Sequence, residues 1–99
     1  MKAIQIQKVI EEVAKQLKVD PVAILTVGSS SRNVSTARYM CAFLLKDCLP
    51  KTKIASLLGR RNDQYVYSAV NRVIERSRND HEFYLLVLKI GEKFGIGFR

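Results

Sequence analysis

Seven basic side chains crowd into residues 31–61: Arg32, Arg38, Lys46, Lys51, Lys53, Arg60 and Arg61, with one acid, Asp47, among them. The flanks mix their signs, four basic and three acidic over residues 1–30, six basic and five acidic over residues 62–99. A solvated surface intersperses its charges. Most of the net charge of +8 instead sits in a third of the chain, which points to a face that binds anions. Lys and Arg release counterions from a phosphate backbone, so nucleic acid is the first partner to consider. An anionic membrane and an acidic protein are the others. The seven basic residues are candidates to clamp phosphates and so to set affinity and register.

The residues that follow are of the types that read base edges: Asn62, Asp63, Gln64, Tyr67 and Ser68. Gln can pair with both edge groups of adenine, Asp can accept from cytosine, and Tyr67 can meet a thymine methyl. Asp63 has a second reading as a helix N-cap, and Tyr67 as a surface aromatic. Arg72 and Arg76 either flank the same groove or pair with Glu75 and Asp80, and Tyr39 reads as packing.

Other chemistries find few residues to work with. His81 is the sole histidine, and Cys41 and Cys48 are the two cysteines. Seven apart on one helix, the cysteines would be separated by about 10.5 Å, too far to bridge. With no His pair or second Cys pair, no metal site is expected, and both read as small core residues. No nucleophile, base and orienting group can be assembled, so neither enzyme activity nor a cofactor is expected. Gly28-Ser29-Ser30-Ser31-Arg32 lacks the second Gly and the Lys-Ser/Thr pair of a nucleotide-binding loop and reads as a connector. There is no apolar run of about 18 residues to span a membrane, and no apolar stretch after Lys2 to act as a signal peptide. A cytoplasmic, nucleoid-associated protein is the expectation.

The 99 residues, 47% hydrophobic, suffice for one core, a single domain over 1–99. Its elements read as about six helices in an all-α bundle. Ile6, Val9, Ile10, Val13 and Leu17 recur at helical spacing over residues 3 to 18. Asp20-Pro21 opens a short helix that stops at Gly28. Asn33 or Ser35 caps a helix over 35 to 48, with Ala37, Cys41, Leu44, Leu45 and Cys48 on its buried side. Pro50 opens another, Lys51 to Leu58, ended by Gly59. Asn62 or Asp63 caps a longer one, 62–78, with Val66, Ala69, Val70, Val73 and Ile74 inward. Asp80 caps the last. Its run Phe83 to Ile90 is apolar nearly all round, so a strand is the alternative; a lone strand would lack a partner, which favours a helix. Gly91, Gly95 and Gly97 suggest a frayed tail.

Ile54-Ala55-Ser56-Leu57-Leu58-Gly59, followed by Val66, Ala69, Val70 and Val73, carries helix-turn-helix arithmetic over 51–78. Ala55 is small where the helices cross, Gly59 redirects the chain, and Val66 anchors the second helix on the first. That leaves the second helix's other face for a major groove.

These residues carry a resemblance. Val34-Ser-Thr-Ala-Arg38-Tyr-Met, then Ile54-Ala-Ser-Leu-Leu-Gly59-Arg-Arg61-Asn, then Val66 and Ala69, resemble the C-terminal DNA-binding domain of the bacterial replication initiator DnaA, over essentially the whole chain. The resemblance implies an all-helical bundle that binds duplex DNA. It implies that Arg38 and Lys46 grip phosphate and that Arg61 is the arginine of the G-G-R-D-H-T-T-V signature. Where the signature continues D-H-T-T this chain has Asn62, Asp63, Gln64 and Tyr65. Tyr39 stands in place of a Gln. Ser30 stands where a loop arginine enters the minor groove, with Arg32 two residues on. The loop before the hairpin is about two residues shorter. Backbone-gripping positions match better than base-reading ones, so DNA binding carries over and the initiator's own box does not. With no ATPase motif, the chain looks like a free-standing relative of the sort a mobile element or phage would carry, in replication or transcription control. A homo-oligomer or a partner replication protein would supply a second contact. The alternative is a helical protein-interaction adaptor for an acidic partner, using the run Phe83 to Ile90.

Overall fold

Val9, Ile10, Val13 and Ala14 bury one side of the first helix, α1 (Ala3–Leu17), while Lys8, Glu11 and Lys15 face outward. The computed structural model describes residues 3–25, 31–60 and 62–96, residues 3 and 4 by backbone alone. The order continues α2 (Pro21–Leu25), α3 (Arg32–Leu45), α4 (Lys51–Leu57), α5 (Gln64–Asn79) and α6 (His81–Lys93). All six are α-helices, and no strand occurs among the described residues. No helix among them is long and apolar enough to cross a membrane.

The choice over residues 83–90 therefore falls to a helix. Asp80 is extended, and its carboxylate accepts the Phe83 N–H at 3.1 Å, starting α6. Phe83, Val87 and Ile90, spaced by four and three, face the core. Gly91 lies within α6 rather than in a tail, and Gly97 is outside the described residues.

The middle of the bundle is α3. Val34, Ala37, Met40, Cys41, Phe43, Leu44 and Leu45 are all buried, and the helix packs against α1, α2, α4 and α5. Its second half, Met40 to Leu45, is apolar all round and buried throughout, while Arg32 and Asn33 at its start are exposed. Burial pushes the Cys41 thiol up to about 12, so it stays protonated and serves as packing. The expected span of 35 to 48 is displaced toward the N-terminus. Ser31, not Asn33 or Ser35, is the cap: it is extended, and its Oγ accepts the Val34 N–H at 3.2 Å. The helix then ends at Leu45, and residues 46–48 turn, with Cys48 N–H on the Leu45 carbonyl at 3.0 Å. Cys48 thus leaves the helix and is half-buried; both cysteines are free.

Asp20 starts α2 as expected, its Oδ1 accepting the Val22 N–H at 2.9 Å. The stop assigned to Gly28 and the connector through Ser30 lie outside the described residues. In α5, Val66, Ala69 and Val73 are buried as expected, joined by Ser77, while Val70 and Ile74 pack at the core's edge. Ala55 is buried in α4, which packs against α3 and α5.

Three helices end in the same hydrogen-bonded reversal; at the end of α6 the Ile96 N–H reaches the Gly91 carbonyl at 2.8 Å and the Gly95 N–H reaches Glu92 at 3.3 Å, with Gly95 at φ 70°. At the end of α4 the Arg60 N–H reaches the Ala55 carbonyl at 2.7 Å and the Gly59 N–H reaches Ser56 at 3.1 Å, with Gly59 at φ 73°. At the end of α1 the Val19 N–H reaches Ala14 at 2.9 Å and the Lys18 N–H reaches Lys15 at 3.3 Å. There the left-handed residue is Lys18, at φ 58°, whose Cβ crowds the next carbonyl. Lys18→Gly keeps both bonds and removes that crowding. Urea unfolding should show a gain of about 0.5–1 kcal/mol; unchanged or reduced stability would contradict this assignment of the α1 cap.

Candidate nucleic-acid interface

The packing of α5 decides which of its residues reach solvent. With Val66, Ala69 and Val73 turned inward at 3.6 residues per turn, Gln64, Ser68, Asn71 and Glu75 fall on the opposite line, and all four are exposed. This line is polar throughout, and nothing in the core needs it.

Each flank of the line carries a cation on an aromatic ring. On the α4 side Tyr67 is 49% exposed, and Lys51 Nζ lies 4.8 Å from its ring centroid. On the α3 side a ladder crosses between helices. Arg60 lies 4.8 Å from the Tyr65 ring, Tyr65 lies 6.1 Å from Tyr39, and Arg72 lies 5.3 Å from Tyr39. Burial pushes the Tyr65 phenol above its ordinary range, while the Arg60 charge pulls the other way. Further along α5, Arg76 rests 4.3 Å from the Phe83 ring. Stacking holds a guanidinium flat and leaves its N–H edge for another partner.

The start of α5 divides the capping roles. Asn62 Oδ1 accepts the Gln64 N–H at 2.9 Å. Asp63 occupies the N-cap position with helical φ −67° and ψ −15°, and its side chain makes no capping bond. Asn62 is therefore the residue that satisfies the helix start. Asp63 stands half-buried beside it, where the helix dipole favours a negative charge.

The basic residues separate into two groups. Arg32 is exposed at the start of α3 and shares a hollow with Tyr39, Arg72 and Arg76. Together with Lys51 and Arg60 it belongs to the surroundings of α5. Lys46 and Lys53 do not gather there. Lys46 is held locally, its side chain 16% exposed, with Nζ 3.2 Å from Asp47 and 4.3 Å from the Phe43 ring. Lys53 is exposed beside a hollow formed with Ile6 of α1 and Leu57. Arg61 lies outside the described residues.

Arg38 corrects the expectation most. It is 1% exposed, with Nε donating to the Ile24 carbonyl and Nη2 to the Ala23 carbonyl, both at 2.9 Å. The end of a helix leaves its last carbonyls unpaired, and the arginine fork closes those of α2. In this structure Arg38 ties α2 to α3 and presents nothing to a phosphate.

His81 is exposed, its ring 6.1 Å from Tyr84. Among the described residues no cluster of His, Cys, Asp or Glu is arranged to hold a metal ion. Sequence reading left Arg72 and Arg76 undecided because the rings that orient them, Tyr39 and Phe83, belong to other helices.

No family model, no curated protein and no solved structure matches the chain. The likeness to the initiator's DNA-binding domain thus rests on the residues that carry it.

Arg38→Ala removes the fork and opens a hole in the interior. The expected cost is about 2–4 kcal/mol in a denaturant melt, whereas Lys51→Ala should stay within about 0.5 kcal/mol. A near-neutral Arg38→Ala would contradict the buried fork.

Proposed function

We propose that this chain is a double-stranded DNA-binding module without catalysis, in which α4 and α5 act as a helix-turn-helix. The observation that carries the reading is the outer line of α5, polar along its length and flanked on both sides by cations laid on aromatic rings. A major groove about 12 Å wide admits a helix about 10–12 Å across with its side chains. Asn62, Asp63, Gln64, Tyr67 and Ser68, at the N-terminal end of α5, are then the base-reading residues. Gln64 is the principal one, since Asn62 Oδ1 is already engaged by the backbone. Lys51, Arg60 and Arg32 grip phosphates, and Arg61 joins them on the strength of the family resemblance. Lys46, paired with Asp47, and Lys53, on the α1 side, contribute less.

The resemblance to the initiator's domain supports a role in the replication or transcription control of a mobile element or phage, in a cytoplasmic, nucleoid-associated setting. One recognition helix reads a short stretch of sequence, so site-specific affinity calls for a second copy or a partner replication protein. The adaptor reading fares less well. Phe83, Val87 and Ile90 of its apolar run face the core, and Leu85 is the one apolar residue of the run that is well exposed, at 47%.

Selection of a randomised duplex library on the purified protein at near-physiological salt tests the reading. A recovered motif is expected, with Gln64→Ala relaxing preference at one base pair and Lys51→Ala weakening all duplexes alike. A Gln64→Ala variant that weakens every sequence equally removes the readout assignment, and no retention of any duplex removes DNA binding itself.

A further inference from the structure

The hollow on the α3 side of α5, about 460 Å³, receives basic residues from two helices. Arg32 approaches from the first turn of α3, whose helix dipole adds positive potential there. Arg72 and Arg76 approach from α5, and the hydroxyls of Ser35 and Thr36 line the wall between them. Its neighbour, about 450 Å³, shares Arg32, Thr36 and Arg76, so the two form one continuous cleft. Glu75 is the acid on its wall, against three arginines.

Both α5 arginines are oriented before any ligand arrives. Arg72 is braced on Tyr39, itself braced on Tyr65, and Arg76 is braced on Phe83. Arg76 Nε forms an exposed ion pair with an Asp80 oxygen at 3.8 Å, longer than a hydrogen bond, and its side chain is half exposed, so other guanidinium N–H groups are left for an anion. Rings occupy guanidinium faces, and a tetrahedral oxyanion is met by guanidinium edges.

We infer that this cleft is a second phosphate clamp, taking a backbone phosphodiester of the strand across the major groove from the one met by Lys51. The inference rests on the DNA-binding reading and extends it. Lys51 with Tyr67 and Arg72 with Tyr39 lie on opposite flanks of the outer line Gln64–Ser68–Asn71. A helix seated along that line has each flank against one wall of the groove, and each wall is a row of phosphates. Arg72 and Arg76 are thereby phosphate-binding residues rather than solvated charges, with Arg32 completing the clamp from α3.

The test measures duplex affinity against salt by fluorescence anisotropy for the wild type, R72Q/R76Q, Arg32→Gln and Lys51→Gln, each checked for an unchanged melting curve. Loss of each clamp residue should make the slope of log K against log salt shallower by about one. Relative affinities between sequences should stay unchanged. Duplexes carrying a single neutral methylphosphonate should reveal a position that weakens the wild type and no longer matters to R72Q/R76Q, on the strand opposite the position cancelled by Lys51→Gln. An unchanged slope in R72Q/R76Q and Arg32→Gln, with a shallower one in Lys51→Gln, overturns the second clamp and leaves DNA binding standing. Absence of duplex binding by the wild type overturns both. Inorganic phosphate that displaces duplex from the wild type at constant ionic strength, but not from R72Q/R76Q, would make the cleft a free-anion site and overturn the backbone assignment.

Discussion

Val66, Ala69 and Val73 are the buried stripe of α5, which packs on α3, and the surface that α5 offers to solvent depends on that contact. α3 is buried on almost every side, so it cannot rotate to accommodate a different face of its neighbour. Ala69 in the middle of the stripe lets the two helices approach closely. Once those residues are committed inward, Gln64, Ser68, Asn71 and Glu75 are committed outward by helical geometry alone. The bundle therefore chooses the side chains offered to solvent without any of them contributing to the core.

Arginines serve this molecule in two distinct ways. Arg38 is interior, and its donors close the carbonyls at the end of α2. Taking a guanidinium out of water costs several kcal/mol unless donors and acceptors match, and a helix C-terminus supplies both acceptors and negative potential. Arg72 and Arg76 are exposed and Arg60 is half-buried, each set against an aromatic ring. Stacking restrains a long side chain, which lowers the entropy lost when an anion binds. The reversal at Gly59 helps here as well: it fixes the backbone at Arg60, from which the ladder of rings starts.

Local signals were legible in the sequence wherever one element decides the outcome. Apolar spacing located α1 and α5, Asp20 and Asp80 marked the starts of α2 and α6, the lack of a partner for a lone strand made α6 a helix, and Gly59 marked the reversal after α4. The misreadings share a cause: the deciding partner lies elsewhere. Ser31 competes with Asn33 and Ser35 as a cap, and the choice follows from where α3 must begin to fill the core. Arg38 carries the same charge as its exposed neighbours, and its burial follows from the position of α2. Cys48 keeps helical spacing from Cys41, yet the chain has already turned at Lys46. Lys51 and Lys53 sit two positions apart on α4, which sends one toward Tyr67 and the other toward Ile6 of α1. The resemblance to the initiator's domain put Arg38 at a phosphate-gripping position. It could not indicate that Arg38 faces inward, because that depends on contacts rather than on the motif.

The central claim is that the outer line of α5, with its two basic flanks, is the surface that meets DNA. Mapping backbone amide shifts by NMR during titration with a short duplex tests it most directly. The account predicts perturbations concentrated on residues 62–76, the start of α4 and the first turn of α3, with the outer face of α1 and the last turns of α6 unmoved. Perturbations centred on α1, α2 or α6, with α5 unmoved, would contradict it.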